Sequence, residues 1–328
     1  MSLDNTPCPC TSSTNYAHCC SPFLTKKKIP ETALLLMRSR YAAYALGDAD
    51  YIIETTHPGS PGYHEDLAKW KEDILKFSKN SRFERLEIID FKEKDRMASV
   101  TFIAHIMQGK KDVTFTEKSY FEKVHGKWLY RSGQLIEGRN PNLMTVGQMR
   151  VLPLSYYGDP ILRKVAEPVS EITEATHQLV EEMIETMDAC DGLGLAAPQV
   201  HYSIQLFVIR IPIEDAAGDV ELGDPMVFIN PEISEHSKEK WTVSEGCLSI
   251  PSIHADVTRS KEITVEYTNL EGKKMKERCS GWKARVILHE YDHLQGILFI
   301  DHLPKEERES IDPFLKRLHH RIHDGTEL

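Results

Sequence analysis

The stretch ARVILHEYDHLQG, residues 284–296, contains the pattern His-Glu-x-x-His in a setting typical of a helix. At about 100° per residue, His289 and His293 lie on one side of such a helix, so both imidazoles can bind one metal ion. Glu290 projects from the neighbouring face, where it can exchange a proton with a water molecule without binding the metal itself. The stretch predicts a metal site for hydrolysis and leaves the third ligand to be found.

Downstream of this helix the sequence offers acidic side chains as a third ligand. A second histidine motif typical of one protease class is absent, since position 299 is Phe. A glutamate ligand from Glu306, Glu307 or Glu309 would make the site that of a zinc endopeptidase. The apolar run ILFI, residues 297–300, instead predicts a strand that packs into the core.

Upstream, the segment SEGCLSIP, residues 244–251, offers a thiolate. Cys247 follows Gly246, where a tight backbone can present sulfur to a metal. One cysteine is weak evidence by itself, because a free Cys is usually a small buried hydrophobic residue. From these residues alone both third ligands remain open.

The segment DGLGLAAPQ, residues 191–199, adds a third pattern. It follows an amphipathic run in which Thr173 is predicted to be the N-cap, and the apolar side of that run carries Leu179, Val180, Met183, Ile184 and Met187. Gly192 and Gly194 allow an extended peptide to approach the backbone closely. A simple helix end would explain Gly192 but not the rest of the segment.

In this order, GLGLAAPQ, EGCLS and HEYDH resemble the three motifs of the peptide deformylases, and the resemblance spans about residues 149–305. It implies removal of the formyl group from the formyl-methionine of nascent polypeptides. The implied metal ligands are Cys247, His289 and His293. Glu290 is the implied general acid and base, and the Leu248 N–H and the Gln199 amide are the implied donors to the oxyanion. The implied substrate-binding residues are Leu193, Gly194, Gly246, Trp282 and Val286.

The same resemblance implies one catalytic divalent metal, with Fe²⁺ as the native ion and Zn²⁺, Ni²⁺ or Co²⁺ able to replace it. Two positions depart from the usual pattern of the family. Leu288 stands where many members have Gln, and His254 stands where a long residue such as Arg is typical. Neither departure removes a predicted metal ligand or the predicted general acid and base.

The first 28 residues form a cysteine-rich head that is too short to fold by apolar burial alone. In CPCTSSTNYAHCC the thiolates of Cys8, Cys10, Cys19 and Cys20 can close on one tetrahedral zinc, with His18 as a substitute ligand. The spacing resembles the zinc motif at the C-terminus of the SecA translocase and at the start of the YchJ-type bacterial family. We therefore expect one structural Zn²⁺ here.

Residues 29–136 begin with helical periodicity and continue as an alternating, β-branched run punctuated by Gly109 and Gly126. Two blocks, LMRSRYAAYALGDADYIIETTHP and TEKSYFEKVHGKWLYRSG, also resemble the YchJ-type family, which implies a cone-shaped α+β domain similar to nuclear transport factor two. Four aromatic or imidazole residues are predicted to lie in the core or, less expectedly, to line a pocket: Tyr41, His57, Trp128 and Tyr130. An accessory role is expected, such as docking to the ribosome or a translocase.

Composition sets the broad limits. The chain has 328 residues, 41% of them hydrophobic, and a net charge of −10, which argues against direct nucleic-acid binding as the main activity. No run approaches the roughly 18 apolar residues of a membrane span, and the N-terminus has no signal-peptide pattern, so a cytoplasmic location is expected.

The predicted fold class is α+β: a deformylase-like metal hydrolase domain preceded by a nuclear transport factor two-like domain with a zinc-binding head. The predicted boundaries are a head at 1–28, a cone at 29–136, a linker at 137–148 and a hydrolase domain at 149–328. Two other functions stay open, a zinc endopeptidase and a zinc-dependent interaction protein whose deformylase-like domain is inactive.

Overall fold

The structure, a computed structural model, describes residues 6–136, 151–214 and 220–324. The chain divides into two compact units, Met1–Met149 and Arg150–Leu328, called here unit 1 and unit 2. The predicted linker, residues 137–148, lies outside the described residues. The predicted boundary between head and cone stays a prediction, and the head cysteines Cys8, Cys10 and Cys20 pack in the same hydrophobic core as the helices that follow.

Unit 1 places short helices before an antiparallel meander. Its helices are α1 (Ser21–Leu24), α2 (Ala33–Leu46), α3 (Ala49–Glu54) and α4 (Leu67–Asn80). Its strands are β1 (Arg82–Lys94), β2 (Met97–Gln108), β3 (Lys111–Asp112), β4 (Phe115–Val124) and β5 (Lys127–Ile136). The strand order is β1-β2-β4-β5, with β3 paired to β2, so the predicted meander is confirmed and β1 forms an edge.

The core of unit 1 lies between α2 and the sheet. Leu36 of α2, Ile52 of α3 and Phe121 of β4 are almost completely buried there. Helix α2 starts where the Thr32 side chain accepts a hydrogen bond from the Leu35 N–H, and it ends at Gly47, whose φ of 73° favours a residue without a β-carbon. Of the four residues for which core or pocket was open, Tyr41, His57 and Trp128 are core residues, and Tyr130 is partly exposed.

Unit 2 is built around a five-stranded antiparallel sheet. Its helices are α5 (Glu174–Ala189), α6 (Gly281–Leu294) and α7 (Lys305–His319). Its strands are β6 (Gly194–Ala196), β7 (Leu206–Ile209), β8 (Pro212–Glu214), β9 (Val220–Leu222), β10 (Met226–His236), β11 (Lys240–Cys247), β12 (Ile250–Ser260), β13 (Glu262–Thr268) and β14 (Lys274–Ser280). The sheet order is β14-β13-β10-β7-β6, and β11–β12 and β8–β9 are separate hairpins.

Helix α6 packs its apolar face into the core of unit 2. Ala284, Ile287 and Leu294 have no exposed surface, and they contact the cluster that holds Phe207 and Phe228. Helix α5 buries Leu179, Val180, Met183 and Met187 against a neighbouring cluster, and the Thr173 side chain accepts a hydrogen bond from the Thr176 N–H. Both helices and the Thr173 N-cap were predicted from the sequence and are confirmed.

The prediction of a strand at residues 297–300 is wrong. Ile297 and Leu298 belong to no strand among the described residues, Leu298 has an extended backbone, and Phe299–His302 is a 3-10 turn. Leu298, Phe299 and Ile300 are nevertheless buried in one cluster with Leu315 of α7. A short apolar run predicts that its side chains are buried, but a turn can bury them as well as a strand can.

None of the helices in the described ranges combines the length and the apolar character that a membrane crossing requires.

Candidate metal centre and active site

Two elements of unit 2 bring Cys247, His289 and His293 together. Cys247 is the last residue of β11, and both histidines lie on the buried side of α6. One ligand atom from each residue lies within 4.8 Å of the other two, and Cys247 Sγ is 3.2 Å from His293 Nε2. One thiolate and two imidazoles at this spacing suit a divalent transition metal and leave room for a further ligand. Among the described residues the third member of the histidine group is Cys247, whereas the glutamates proposed as alternatives lie on α7 outside it: Glu306, Glu307 and Glu309.

A buried ionic network holds His289 in place. Glu245 Oε2 lies 3.1 Å from His289 Nδ1, which leaves Nε2 of that ring for a metal. Arg259 donates to both oxygens of Glu245, over 2.7 and 3.0 Å, and also to Asp292 over 2.7 Å. Burial raises the pKa of Glu245, but the hydrogen bonds from His289 and Arg259 outweigh it and hold that pKa at about 2. Glu245 is therefore an anion that orients His289.

Sequence reasoning missed Glu245, Arg259 and Asp292. The only signal was the position of Glu245, two residues before Cys247 and in the same strand, since alternation puts residues i and i+2 on one side. Its partners lie 14 and 44 residues away along the chain, at positions 259 and 289, so no local pattern connects them.

Glu290 is buried beside the metal ligands and touches the backbone of β6. Only 3% of its surface is exposed, and Oε2 accepts no hydrogen bond from the described residues. Burial raises its pKa to about 7. A β-carbon at Gly194 would overlap the carboxylate oxygen and lie 2.7 Å from Glu290 Cδ, so the glycine makes room for this side chain. A buried carboxyl of this kind can gain and lose a proton near neutral pH.

Gln199 connects the GLGLAAPQ segment to the cysteine. Its Oε1 accepts from the Ala196 N–H over 2.8 Å, which fixes which end of the amide points at the site. Its Nε2 donates to Ser249 Oγ over 3.2 Å and to Cys247 Sγ over 3.5 Å. Leu248 follows Cys247 directly, and its side chain lies against Gly192. Both predicted oxyanion donors thus lie next to the thiol.

The predicted substrate-binding residues fall into two groups. Leu193 and Val286 pack in one hydrophobic cluster with Leu288 of α6, and Gly194 pairs with Ile209 of β7. Gly246 lies under the His254 ring, since a β-carbon there would be 2.7 Å from two ring atoms. Trp282 is half exposed, and its ring meets Trp241 edge-on at 5.2 Å. The structure brings Gly194 to Glu290, and Gly246 directly precedes Cys247 in β11, whereas none of the side-chain hydrogen bonds, ion pairs or ring contacts among the described residues joins Leu193, Val286 or Trp282 to the metal ligands.

Unit 1 contains the second cysteine cluster. One sulfur atom from each of Cys8, Cys10, Cys19 and Cys20 lies within 4.8 Å of the others, and Cys10 Sγ is 3.5 Å from Cys19 Sγ. His18 is exposed and lies outside the group. Hydrogen bonds from the Cys20 and Cys8 thiols lower the pKa of Cys10, which favours the thiolate form that a metal binds. Four sulfur atoms at this spacing fit one tetrahedral zinc ion.

Comparison with known proteins matches each unit to a family. The family model for polypeptide deformylase matches residues 151–309, and the model for the middle, NTF2-like domain of YchJ matches residues 32–133. The peptide deformylase of Pseudothermotoga lettingae is 47% identical over 154 residues, which are 47% of this chain and 84% of that protein. That of Thermotoga neapolitana is 46% identical over 152 residues, covering 46% of this chain and 87% of the relative.

Among solved structures, the peptide deformylase of Thermotoga maritima is 43% identical and has a TM-score of 0.42, covering 47% of this chain and 98% of that one. The relatives from Pseudothermotoga lettingae and Thermotoga neapolitana are covered over 84% and 87% of their length, and the region matched by the family model holds every residue of the metal centre. The chain therefore belongs to the peptide deformylase family, with a YchJ-type, nuclear transport factor two-like domain in front of the deformylase domain.

Proposed function

We propose that unit 2 hydrolyses the formamide at the N-terminal formyl-methionine of nascent polypeptides, with a divalent metal held by Cys247, His289 and His293. The observation that carries the proposal is the buried Glu290 carboxyl beside these three ligand atoms, which lie within 4.8 Å of one another. Bound there, the metal supplies a Lewis acid that lowers the pKa of water toward neutrality. We infer Fe²⁺ as the native ion from the resemblance of the three motifs to the peptide deformylases, and one thiolate with two imidazoles suits Zn²⁺, Ni²⁺ or Co²⁺ as well.

The side chains of the chain itself divide the remaining work. Glu290 takes the proton of the attacking water and later delivers it to the leaving amine, a task suited to a carboxyl whose pKa is about 7. Gln199 Nε2 and the Leu248 N–H donate to the oxygen of the tetrahedral species as its charge develops. Glu245 keeps Nδ1 of His289 occupied, so that the ring presents Nε2.

The peptide enters along β6, where Gly194 leaves the backbone open and Leu193 and Val286 offer apolar surface to the methionine side chain. Nascent chains as substrates place this reaction where proteins are synthesised, in the cytoplasm. A third ligand that is sulfur rather than carboxylate supports deformylation over endopeptidase action. The alternative of an interaction protein with an inactive deformylase-like domain is disfavoured, because the predicted catalytic set is complete: Cys247, His289, His293, Glu290 and Gln199.

A deformylation assay tests the proposal. The full chain is loaded anaerobically with iron, and release of formate from formyl-Met-Ala-Ser is measured. Cys247→Ala is expected to abolish metal binding at unit 2, and Glu290→Gln to retain the metal but lose turnover by at least about 100-fold. Cys190→Ala is the control, since this buried cysteine belongs to neither cluster. Full metal occupancy without formate release would refute the activity, and metal binding by Cys247→Ala would favour the endopeptidase ligand set.

We also propose one structural Zn²⁺ at the cysteines of unit 1. Metal analysis is expected to give one zinc per chain in addition to the catalytic metal, and Cys8→Ser with Cys10→Ser is expected to lose only that zinc. Equal zinc content in the double variant and the parent chain would contradict this assignment. Docking of this unit to a ribosome or a translocase stays a prediction.

A further inference from the structure

A cavity of about 370 Å³ lies in unit 2, between the C-terminal end of α7 and the segment at residues 157–163, which ends in a short 3-10 turn, Pro160–Arg163. Its volume falls in the range of roughly 300–1,000 Å³ that is typical of ligand pockets. None of the residues that line it is a metal ligand, the general acid and base or a predicted substrate-binding residue. Deformylation therefore gives this cavity no task.

Two leucines give the cavity an apolar wall. Leu162 and Leu298 belong to one hydrophobic cluster, and each has only 1% of its surface exposed. Tyr157, another lining residue, is held from two sides. Its N–H donates to the Ser249 carbonyl oxygen over 2.8 Å, and its own carbonyl oxygen accepts from His323 Nε2 over 3.0 Å. This part of the cavity is preformed, and it can take the apolar body of a small ligand.

Four basic or imidazole side chains also line the cavity: Arg163, Lys316, His319 and His320. The charge of Arg163 is compensated, because both of its terminal nitrogens donate to Asp301. Lys316 is exposed, and no carboxylate oxygen in the described ranges lies within the 4 Å of an ion pair from its Nζ. Lys316 therefore supplies a cation that a ligand can use.

The backbone at Gly158 makes room for the His319 ring. A β-carbon there would overlap His319 Nδ1, and its φ of 101° is one that residues with a β-carbon rarely adopt. The ring also packs against His323, with 4.6 Å between the centroids. An imidazole offers at least one N–H donor in either protonation state. His319 follows Lys316 by three residues on α7, so the two side chains share one side of the helix.

Asp159 is the one carboxylate among the described residues that line the cavity. Its Oδ1 accepts from the Ile161 N–H over 3.2 Å, and its Oδ2 lies 3.6 Å from His201 Nδ1, so both oxygens have partners outside the lining. The lining thus keeps a local excess of positive charge in a chain whose net charge is −10. A phosphate monoester, with a charge of about −1.5 to −2 and three acceptor oxygens, suits an ammonium beside an imidazole better than a single carboxylate does.

We propose that this cavity is a binding site for a small organic phosphate. The phosphate group accepts hydrogen bonds from Lys316 and His319. The organic part of the ligand lies against Leu162 and Leu298. Free inorganic phosphate shares the charge of such a ligand but makes no use of the apolar wall. The proposal does not rest on turnover at the metal centre.

Binding is measured by NMR on the full chain loaded with zinc, because zinc is diamagnetic. The Gly158 amide shift reports occupancy of the cavity, and the Gly246 amide shift reports phosphate at the metal centre. The probes are phenyl phosphate, inorganic phosphate, benzoate and phenol, so charge, shape and apolar body are varied separately.

Three variants change the cavity and one is a control. Lys316→Gln removes the charge at an exposed position, Lys316→Arg keeps it, and His319→Leu removes the donor but fills the space beside Gly158. Lys305→Gln is the matched control, because it removes the same charge from the first turn of the same helix, where the ion pair with Glu309 is exposed.

We expect phenyl phosphate to bind the parent chain more tightly than the other three probes. The Lys305→Gln and Lys316→Arg chains are expected to bind it like the parent chain, and Lys316→Gln and His319→Leu at least about tenfold more weakly. The proposal is overturned if Lys316→Gln binds phenyl phosphate like the parent chain, or if the shifts are confined to Gly246. Equal binding of phenol, benzoate or inorganic phosphate would also overturn it, because the charge, the phosphate geometry or the apolar wall would then contribute nothing.

Discussion

Glu245 carries more of the active-site geometry than its distance from any substrate suggests. Its carboxylate receives Arg259 through two hydrogen bonds, contacts Arg285 and holds His289 at 3.1 Å. A neutral amide at position 245 would offer one acceptor oxygen in place of two, and the imidazole would lose the anion that fixes its tautomer. Ring orientation at the metal therefore depends on a residue that does not bind the metal.

We expect Glu245→Gln to lower metal affinity or kcat/KM by about 10- to 100-fold, as is usual when a partner of a ligand histidine is removed. Metal affinity and kcat/KM are measured on protein whose far-ultraviolet circular dichroism matches the parent chain. Glu239→Gln is the control next to the same hairpin, because its ion pair with Lys261 is exposed and contributes little. If metal affinity and kcat/KM of Glu245→Gln equal those of the parent chain, Glu245 does not orient the metal ligand as proposed.

Gly194 allows a second prediction at this scale. A methyl group there would press against the Glu290 carboxylate, so Gly194→Ala is expected to shift the acid and base while leaving Cys247, His289 and His293 in place. The expected result is a normal metal content with turnover reduced at least about tenfold, since a displacement near 1 Å is costly in catalysis. Gly62→Ala, where a β-carbon meets only Ser60 Oγ at 3.8 Å, is the control. Unchanged turnover in Gly194→Ala would show that Glu290 tolerates the displacement.

At the scale of elements, the sequence predicted what is local and periodic. The spacing of His289 and His293 determined a shared helix side, and the apolar side of α5 and the cap at Thr173 followed from the same 3.6-residue period. The run at residues 297–300 was assigned wrongly because four apolar residues carry no period that separates a strand from a buried turn. The contact between Cys247 and α6 forms only in the folded chain, and in the sequence only the order of the motifs indicated it.

The Thr11 side chain links the head to the edge strand β1. The Thr11 hydroxyl accepts from the Leu86 N–H over 3.1 Å and donates to the Leu86 carbonyl oxygen over 3.2 Å. Thr11 lies one residue after Cys10 and has a φ of 55°, a conformation that needs support from its surroundings. Exposed strand edges invite pairing with other chains. The contact thus connects the residue after Cys10 to the backbone of β1.

Thr11→Val is expected to speed hydrogen exchange at the Leu86 amide by about fivefold, the equivalent of one lost hydrogen bond of about 1 kcal/mol. Thr11→Ser keeps the hydroxyl and is expected to exchange like the parent chain. Removal of the head metal by a chelator is expected to raise exchange at Leu86 in the parent chain as Thr11→Val does. If neither Thr11→Val nor removal of the head metal alters the exchange rate of the Leu86 amide, the head does not protect β1.

At the scale of the whole molecule, each unit holds its own core, its own cysteine-containing cluster and its own buried ionisable groups. The sequence indicated the two families and the two clusters, because the spacing of a motif can be read along the chain without knowledge of the fold. It contained no sign of the His57 environment, because Arg96 and Glu122 come close to it only when the strands pair. Burial of such groups also makes the stability of unit 1 depend on pH.

His57 provides the test of that dependence. It is fully buried, its Nδ1 accepts from the Gly59 N–H over 2.8 Å, and burial together with the Arg131 and Arg96 charges lowers its pKa well below 6.5. The unfolded chain therefore binds a proton at His57 below about pH 6.5 while the folded chain does not, and the free energy of unfolding falls as the pH decreases. This contribution is fully present above about pH 6.5 and is lost between that pH and the lowered pKa of the folded state.

From about pH 7 to about pH 5.5, we expect protected amides of β2 and β4 to lose about 1 kcal/mol of protection through His57, given a limiting slope near 1.4 kcal/mol per pH unit. The measurement is native-state hydrogen exchange on the full chain, corrected for intrinsic rates. His57→Asn keeps an acceptor for the Gly59 N–H but does not titrate, so its slope is expected to be shallower by that amount. Glu122, 3.7 Å from His57 Nε2, is present in both proteins, so its own contribution cancels to first order. Parallel slopes in the two proteins would mean that His57 is not the group that unfolding protonates.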